Sequence, residues 1–245
     1  MKERLPVGRG DDDLNYFNET AWQIIDQLFV PEERQTPFIE LGVDRGRFLN
    51  LAPERWSGDV HGWDNYAEMT PEQAEKCVEI DIDPRIKMHI EDIETSSELL
   101  AMKGQSMFIH CDYTGFYNKA KRSFDLCLDL IHEDGVICYD NMGFLWIGNL
   151  SVLIEYTIEN KVYPFAVWTH ASGGKVFMTK SADKSQYYKD LLMSQEIELA
   201  GWKTQHFLYD DIVHYRHLYK GQKDRIDAVR KTRAAYSWSR MNQSR

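Results

Sequence analysis

The sequence predicts an α/β fold in which helices cover both faces of a mostly parallel β-sheet. Five short apolar runs recur between residues 36 and 140 and alternate with segments of helical periodicity, as in strand–helix–strand units. An acidic residue closes each run: Glu40, Asp64, Asp92, Asp112 and Asp140. The carboxyl ends of parallel strands share one edge of a sheet, so these acids are expected to gather there. A chain of 245 residues fits one such domain with appended segments.

The first 140 residues contain a covering helix and five strands with helices between them. Residues 14–29 place Phe17, Trp22, Ile25 and Leu28 at helical spacing, which predicts an amphipathic helix packed on the sheet. Strands are predicted at 38–41, 59–63, 87–90, 107–111 and 135–139. Helices are predicted between them at 45–54, from Thr70, at 96–102 and at 118–130. The helix from Thr70 has the clearest start, with Thr70 as N-cap, Pro71 in the first turn and Gln73 at the capping-box position.

The pattern changes after Pro164. Two apolar runs at 165–169 and 175–179 flank Ala171-Ser172-Gly173-Gly174, which predicts a β-hairpin and an antiparallel edge on a seven-stranded sheet. Further on, 187–200 is predicted as a helix, 202–209 as a strand or loop, and 223–238 as a C-terminal helix. The predicted organisation is an N-terminal arm and covering helix at 1–35, a central domain at 36–215 and a basic tail at 216–245.

Charge and composition limit the choice of partners. The net charge is −10, which disfavours a nucleic-acid backbone as the main ligand because that needs a basic face. Residues 216–245 differ, since they carry nine Lys or Arg and two Asp, a net charge of +7. This tail is interpreted first as a solvated basic helix, with the acidic body, another subunit or an anionic ligand as alternatives. A homodimer is the default expectation.

The cysteines and apolar segments indicate a cytoplasmic protein. The four cysteines form no CxxC pair and three of them lie in apolar runs, which favours free thiols in a reducing compartment. The N-terminus has no apolar signal core. The apolar window at 143–158 is interrupted by Asn149, Ser151 and Glu155, so it is too polar to span a membrane. We therefore expect no membrane partner.

The turn after the first strand is the strongest functional signal. It reads Glu40-Leu41-Gly42-Val43-Asp44-Arg45-Gly46, and glycine without a Cβ lets a cofactor approach the backbone closely. A dinucleotide site would prefer G-x-G-x-x-G around an anionic pyrophosphate. Glu40 and Asp44 disfavour an anion and suit a ligand that carries positive charge.

This turn resembles the first motif of class I S-adenosylmethionine-dependent methyltransferases, with Asp44 in place of the middle glycine. The resemblance covers residues 36–180. It implies that Glu40 and Gly42 face the methionine part of the cofactor, that Asp64 accepts hydrogen bonds from the ribose hydroxyls, and that Asp92 and Ile93 flank the adenine. Asp44, Gly46 and Asp112 complete the implied cofactor set. As ordinary strand-end acids, the same residues would only cap turns.

The fourth and fifth strands end in a possible metal site. Asp112, Asp140 and Asn141 supply only oxygen ligands, which suit Mg²⁺ or a similar hard cation. This set resembles the metal site of cation-dependent O-methyltransferases. The resemblance implies a metal that grips substrate oxygens and lowers the pKa of a hydroxyl on a small-molecule substrate. The competing interpretation is that these residues cap the turn after the fifth strand and the helix after the fourth.

The position of the general base departs from the pattern of the related families. Related families place Lys or His three residues after the first metal aspartate, where this chain has Gly115. His170 and Tyr113 are the candidate replacements, whereas His110 is interpreted first as a packed strand residue. The departure leaves open N-methylation, intramolecular cleavage or cyclisation of S-adenosylmethionine, and a non-catalytic S-adenosylmethionine-binding subunit. A nicotinamide enzyme is the least favoured alternative.

Overall fold

The computed structural model describes residues 9–66, 83–113, 116–142, 147–170, 173–194, 200–207 and 210–217. The strands in these ranges are β1 Phe38–Leu41, β2 Val60–Trp63, β3 Ile86–His89, β4 Ser106–Cys111, β5 Ile131–Tyr139, β6 Tyr163–His170, β7 Gly173–Thr179, β8 Ala200–Phe207 and β9 Asp210–His217. The helices are α1 Arg9–Leu28, α2 Ser97–Ala101, α3 Tyr117–Leu130, α4 Ile147–Ile158 and α5 Ala182–Met193.

All nine described strands form one sheet in the order β3-β2-β1-β4-β5-β7-β6-β9-β8. The strands from β3 to β5 are parallel, β7 is antiparallel to both β5 and β6, and β9 runs parallel to β6. The predicted parallel sheet with its antiparallel hairpin is confirmed. The sheet is wider than the seven strands predicted, because β8 and β9 extend it as a second hairpin.

The sheet is buried on both faces because its central strands are apolar at successive positions. Successive side chains point to opposite faces, so Phe38 and Phe108 lie on one side and Ile39 and Ile109 on the other. Trp22 of α1 stacks on Phe38 with ring centroids 5.4 Å apart, as expected for the covering helix. The opposite face packs against α3 and α4.

Three helices differ from the sequence prediction. Residues 45–54 form only a short 3₁₀ helix, Leu49–Glu54, because Asp44 and Gly46 adopt positive φ and Pro53 lacks an N–H for a longer helix. α5 begins earlier than predicted, where Ser181 caps it by accepting a hydrogen bond from Lys184 N. α4 was not predicted, since it is apolar around most of its circumference and shows little periodicity.

Several predicted elements lie outside the described residues. These are the helix from Thr70 and the C-terminal helix at 223–238. Only the first two residues of the predicted basic tail are described, and both Arg216 and His217 belong to β9. Among the described helices, none combines the length and the apolar character needed to cross a membrane.

Gly42 is the tightest point between the turn after β1 and the end of β4. Its φ is +81°, and a Cβ built there would lie 2.3 Å from the backbone oxygen of Asp112. A backbone atom cannot move aside as a side chain does. The conformation and the contact therefore both require glycine.

We expect Gly42→Ala to lower the free energy of unfolding by clearly more than the roughly 1–2 kcal/mol that positive φ alone costs a non-glycine residue. Gly104→Ala is the matched control, because Gly104 has φ of +69° and no atom within 4 Å of its built Cβ. Urea denaturation of both variants measures the difference. Equal losses would show that the contact with Asp112 relaxes at no cost.

Candidate functional site

Three of the five acids predicted to share the carboxyl edge of the sheet, Asp64, Asp112 and Asp140, directly follow their strands there. Hydrogen bonds beyond the strand ends continue the ladder, from Asp112 N to Leu41 O and from Asp140 N to Cys111 O, each at 2.8 Å. Asp64 N donates to His89 O at 3.1 Å. The backbones that follow β1, β2, β4 and β5 are thereby held side by side at the carboxyl edge of the sheet.

Asp64 joins the turns after β1 and β2. Its Oδ2 accepts a hydrogen bond from Asp44 N at 2.9 Å, and its Oδ1 accepts one from Tyr66 N at 2.8 Å. Asp44 and Tyr66 both have positive φ, which turns their N–H groups toward the carboxylate. Each carboxylate oxygen has capacity for a second donor, so Asp64 suits a ligand with two neighbouring hydroxyls.

Asp92 and Ile93 lie in the turn between β3 and α2. Asp92 is exposed, its Oδ1 accepts a hydrogen bond from Glu94 N at 2.8 Å, and its backbone oxygen accepts from Thr95 N and Ser96 N. Ile93 is buried in the core under this turn. The capping interpretation of Asp92 is thus observed, and it leaves the second carboxylate oxygen at the surface.

A chain of polar side chains crosses four strands beneath the edge. Glu40 of β1, His110 of β4 and Lys175 of β7 are each 1–2% exposed. His110 Nδ1 lies 3.1 Å from Glu40 Oε1, and its Nε2 lies 2.8 Å from Lys175 Nζ. Lys175 also forms an ion pair with Asp140. The Phe48 ring stacks on the His110 ring with centroids 3.8 Å apart and shields these polar side chains from water.

Burial and neighbouring charges set the protonation states of these polar side chains. The pKa of Glu40 lies well above its usual value, because desolvation outweighs the nearby Lys175 charge. The pKa of His110 is well below its usual value, owing to burial and to Lys175. Burial alone would lower the pKa of Lys175, but the charge of Asp140 raises it overall. Lys175 is therefore cationic and His110 is neutral. The His110 imidazole accepts a hydrogen bond from Lys175 and donates one to Glu40.

One oxygen of Glu40 has no donor among the described residues. Glu40 Oε2 is buried and unpartnered, whereas Oε1 is bonded to His110. A buried carboxyl oxygen without a hydrogen-bond partner is costly and calls for an explanation such as a missing ligand group. The residues here fit the cationic end of S-adenosylmethionine, because an ammonium group would supply the donor and a compensating charge.

The three predicted metal ligands are adjacent, but each already has a partner. Asn141 N donates to Asp140 Oδ1 at 2.6 Å, and the Asn141 amide nitrogen donates to Asp112 Oδ1. Lys175 pairs with the other oxygen of Asp140. Burial and the charge of Asp140 raise the pKa of Asp112 to about 7. A cation at this site would need the amide to turn its oxygen inward and Lys175 to release Asp140.

The predicted base candidates lie near this site to different degrees. Tyr113 directly follows Asp112, is partly buried, and accepts a hydrogen bond from the Asn149 side chain at 3.4 Å through its backbone oxygen. His170 ends β6, so its backbone lies at the same edge, and its side chain is outside the described residues. Gly115 is also outside them.

Sequence reasoning missed Lys175. A usable signal existed, because alternation along β7 puts Lys175 on the same face as Phe177, while Val176 and Met178 fill the other face. A lysine in a strand apolar on both faces must be buried and needs a carboxylate partner. His110 is both a packed strand residue, as interpreted, and a member of the polar chain.

Comparison with known proteins gives structural likeness only. No family model and no curated protein matches this chain. A putative O-methyltransferase from Klebsiella pneumoniae has a TM-score of 0.51 and 12% identity, over 72% of this chain and 92% of its own. Magnesium protoporphyrin IX methyltransferase from Synechocystis PCC 6803, with bound S-adenosylmethionine, has a TM-score of 0.49 and 10% identity, over 74% of this chain and 87% of its own. At such identities only the fold is shared: this chain has the fold of class I S-adenosylmethionine-dependent methyltransferases.

Proposed function

We propose that this chain is a methyltransferase that uses S-adenosylmethionine and methylates a hydroxyl of a small molecule. The observation that carries the proposal is the buried Glu40 Oε2, which has no hydrogen-bond partner in the described part of the chain, beside a turn that only glycine can form at residue 42. A cationic ligand that donates a hydrogen bond to Glu40 Oε2 explains the first feature, and the second fixes the turn against which it would lie. S-adenosylmethionine, when bound, supplies the methyl group on a cationic sulfur.

Each part of the edge has a proposed task in this function. Glu40 would hold the ammonium group, and Asp64 would accept the ribose hydroxyls. Asp92 and Ile93 would border the adenine, and Asp112 would separate cofactor from acceptor. On the acceptor side, Asp140 and Lys175 offer a carboxylate and a fixed positive charge. An ammonium ion next to an acceptor oxygen favours loss of the hydroxyl proton, which methyl transfer requires.

The predicted Mg²⁺ remains part of the proposal, and Lys175 competes with it. Both are positive charges that would neutralise Asp140, and they would repel each other if both lay against that carboxylate. Two alternatives keep S-adenosylmethionine as ligand: other chemistry, namely N-methylation or cleavage of the cofactor itself, and binding without turnover. Analysis of the recovered cofactor separates them, because methylthioadenosine formed without an acceptor indicates cleavage.

Asp64→Ala is expected to weaken S-adenosylmethionine binding by more than about tenfold, or about 1.4 kcal/mol, because two acceptors for the ribose are lost. Calorimetric titration measures the affinity. Asp64→Asn should lie between the two proteins, since it keeps one acceptor oxygen. Asp59→Ala is the control, because Asp59 is an exposed acid at the amino end of β2, away from Asp64, and pairs with Lys87 of β3. Unchanged affinity in Asp64→Ala would remove the ribose assignment.

Glu40→Gln is expected to stabilise the free protein while weakening cofactor binding. Below pH 4.5, the ordinary pKa of glutamate, the carboxyl is protonated in both folded and unfolded chains. As pH rises, the unfolded chain releases the proton and the folded chain holds it, so the wild type loses up to about 1.4 kcal/mol per pH unit. Glutamine removes that loss. Thermal denaturation from pH 5 to pH 8 should show a growing advantage, and a constant difference would contradict the assignment.

Lys175→Met is expected to raise the affinity of the site for Mg²⁺, because a competing buried charge is removed from Asp140. The variant should be less stable than the wild type, and Mg²⁺ should raise its melting temperature by several degrees while leaving the wild type nearly unchanged. Lys103→Met is the control, since Lys103 is an exposed lysine paired with Asp129.

Activity then decides between the two positive charges. Methyl transfer that stops in excess chelator supports the cation. Methyl transfer that survives the chelator but is lost in Lys175→Met would show that the Lys175 ammonium group, and not a metal ion, supplies the positive charge that the reaction needs.

A further inference from the structure

A second cluster of ligand-type side chains lies away from the carboxyl edge. His61 of β2 and His89 of β3 project from the sheet face that carries α2, and Glu98 belongs to α2. His61 Nδ1 is 3.1 Å from His89 Nε2, and His89 Nδ1 is 3.5 Å from Glu98 Oε2. One ligand atom from each of the three side chains lies within 4.8 Å of the other two.

The imidazoles are held in place by their neighbours. The ring of Trp63 stacks on His89 with centroids 4.1 Å apart and planes 6° apart, and the planes of His61 and Trp63 differ by 10°. Trp63 is itself anchored, because its Nε1 donates to Ser96 Oγ at 3.2 Å and to Glu91 Oε1 at 3.3 Å. The same anchor fixes Ser96, the N-cap of α2, so the helix that carries Glu98 is tied to the two histidines.

The electrostatics favour neutral imidazole at His61. Burial, followed by the charges of Lys87 and His89, lowers its pKa, while Asp59 and Glu98 act in the opposite direction. A neutral imidazole has a lone pair to offer a metal ion. Lys87 is itself paired, since its Nζ lies 2.8 Å from Asp59 Oδ2. Glu98 adds a carboxylate 3.5 Å from His89 Nδ1.

We propose that His61, His89 and Glu98 form a binding site for a divalent transition-metal ion of the Zn²⁺ type. Two imidazoles and one carboxylate are a ligand set that Zn²⁺ uses, with a fourth position left for water. The Nδ1–Nε2 distance of 3.1 Å is close to the roughly 3.3 Å that separates two imidazole ligands on a tetrahedral Zn²⁺. Metal binding would move the proton between the rings to an outer nitrogen and bring the exposed Glu98 carboxylate to the ion.

The site accounts for features that methyl transfer does not use. Glu98 has 61% of its side chain exposed and can swing to the ion, while His89 is 12% exposed and needs little rearrangement. The three ligands come from three successive described elements at the β3 end of the sheet. A bound ion would therefore fasten α2 to the edge strand, and it would stabilise the folded chain because the unfolded chain lacks the cluster.

Titration of the metal-free full chain with Zn²⁺, followed by calorimetry and by the melting temperature, tests the site. We expect one ion per chain at this cluster and a higher melting temperature. His89→Ala should weaken this binding by at least about a hundredfold, and Glu98→Gln by at least about tenfold. Co²⁺ should give the intense visible absorption of a four-coordinate site, which His89→Ala abolishes.

The controls separate this site from the others. His132→Ala removes an exposed histidine on β5 and should leave Zn²⁺ binding unchanged. Asp112→Asn changes the acidic edge and should also leave it unchanged. Glu98→Gln alters a surface side chain only, so it remains informative if His89→Ala fails to fold. Binding that is equal in the wild type, His89→Ala and Glu98→Gln, or no binding at micromolar Zn²⁺, would overturn the proposal.

Discussion

The buried ion pair between Lys175 and Asp140 is the interaction on which the carboxyl edge depends. Parallel topology forces Asp112 and Asp140 together and brings Glu40 beneath them, and these acids need a compensating charge. The antiparallel strand β7 supplies it. A slip of one residue along β7 would move Lys175 to the opposite face, leaving the acids unbalanced and burying a cation among aliphatic side chains. The pair therefore also fixes the register of the hairpin.

The sequence predicts the layout of the sheet well because the layout depends on local patterns. Apolar runs, their spacing and the closing acids are all visible along the chain, and they place Gly42, Asp64 and Asp112 correctly at one edge. The prediction of a strand or loop at 202–209 overlaps β8, whereas α4, β9 and the addition of both strands to the sheet were not predicted, because they depend on what packs against them. The role of Lys175 was not predicted for the same reason, since its partners Asp140 and His110 are 35 and 65 residues away in sequence.

The polar chain also shows how stability and binding oppose one another. Glu40 is expensive as a buried carboxyl in the free protein, and an apolar or amide residue would serve the fold better. A ligand with a positive group reverses this, because it turns an isolated acceptor into a charge-assisted bond. A buried carboxyl with an unpartnered oxygen breaks a rule of stable folds, and such departures are expected chiefly at functional sites.

The contact between Gly42 and the backbone of Asp112 gives the two halves of the edge a mechanical relation. A Cβ built at Gly42 would lie 2.3 Å from the backbone oxygen of Asp112, so the turn after β1 packs directly against the end of β4. A ligand that shifts this turn must push the Asp112 peptide as well, and Asp112 is in turn bonded to Asn141. The turn after β1 and the Asp112–Asn141 pair are thus coupled by direct contact, so a displacement of either one bears on the other.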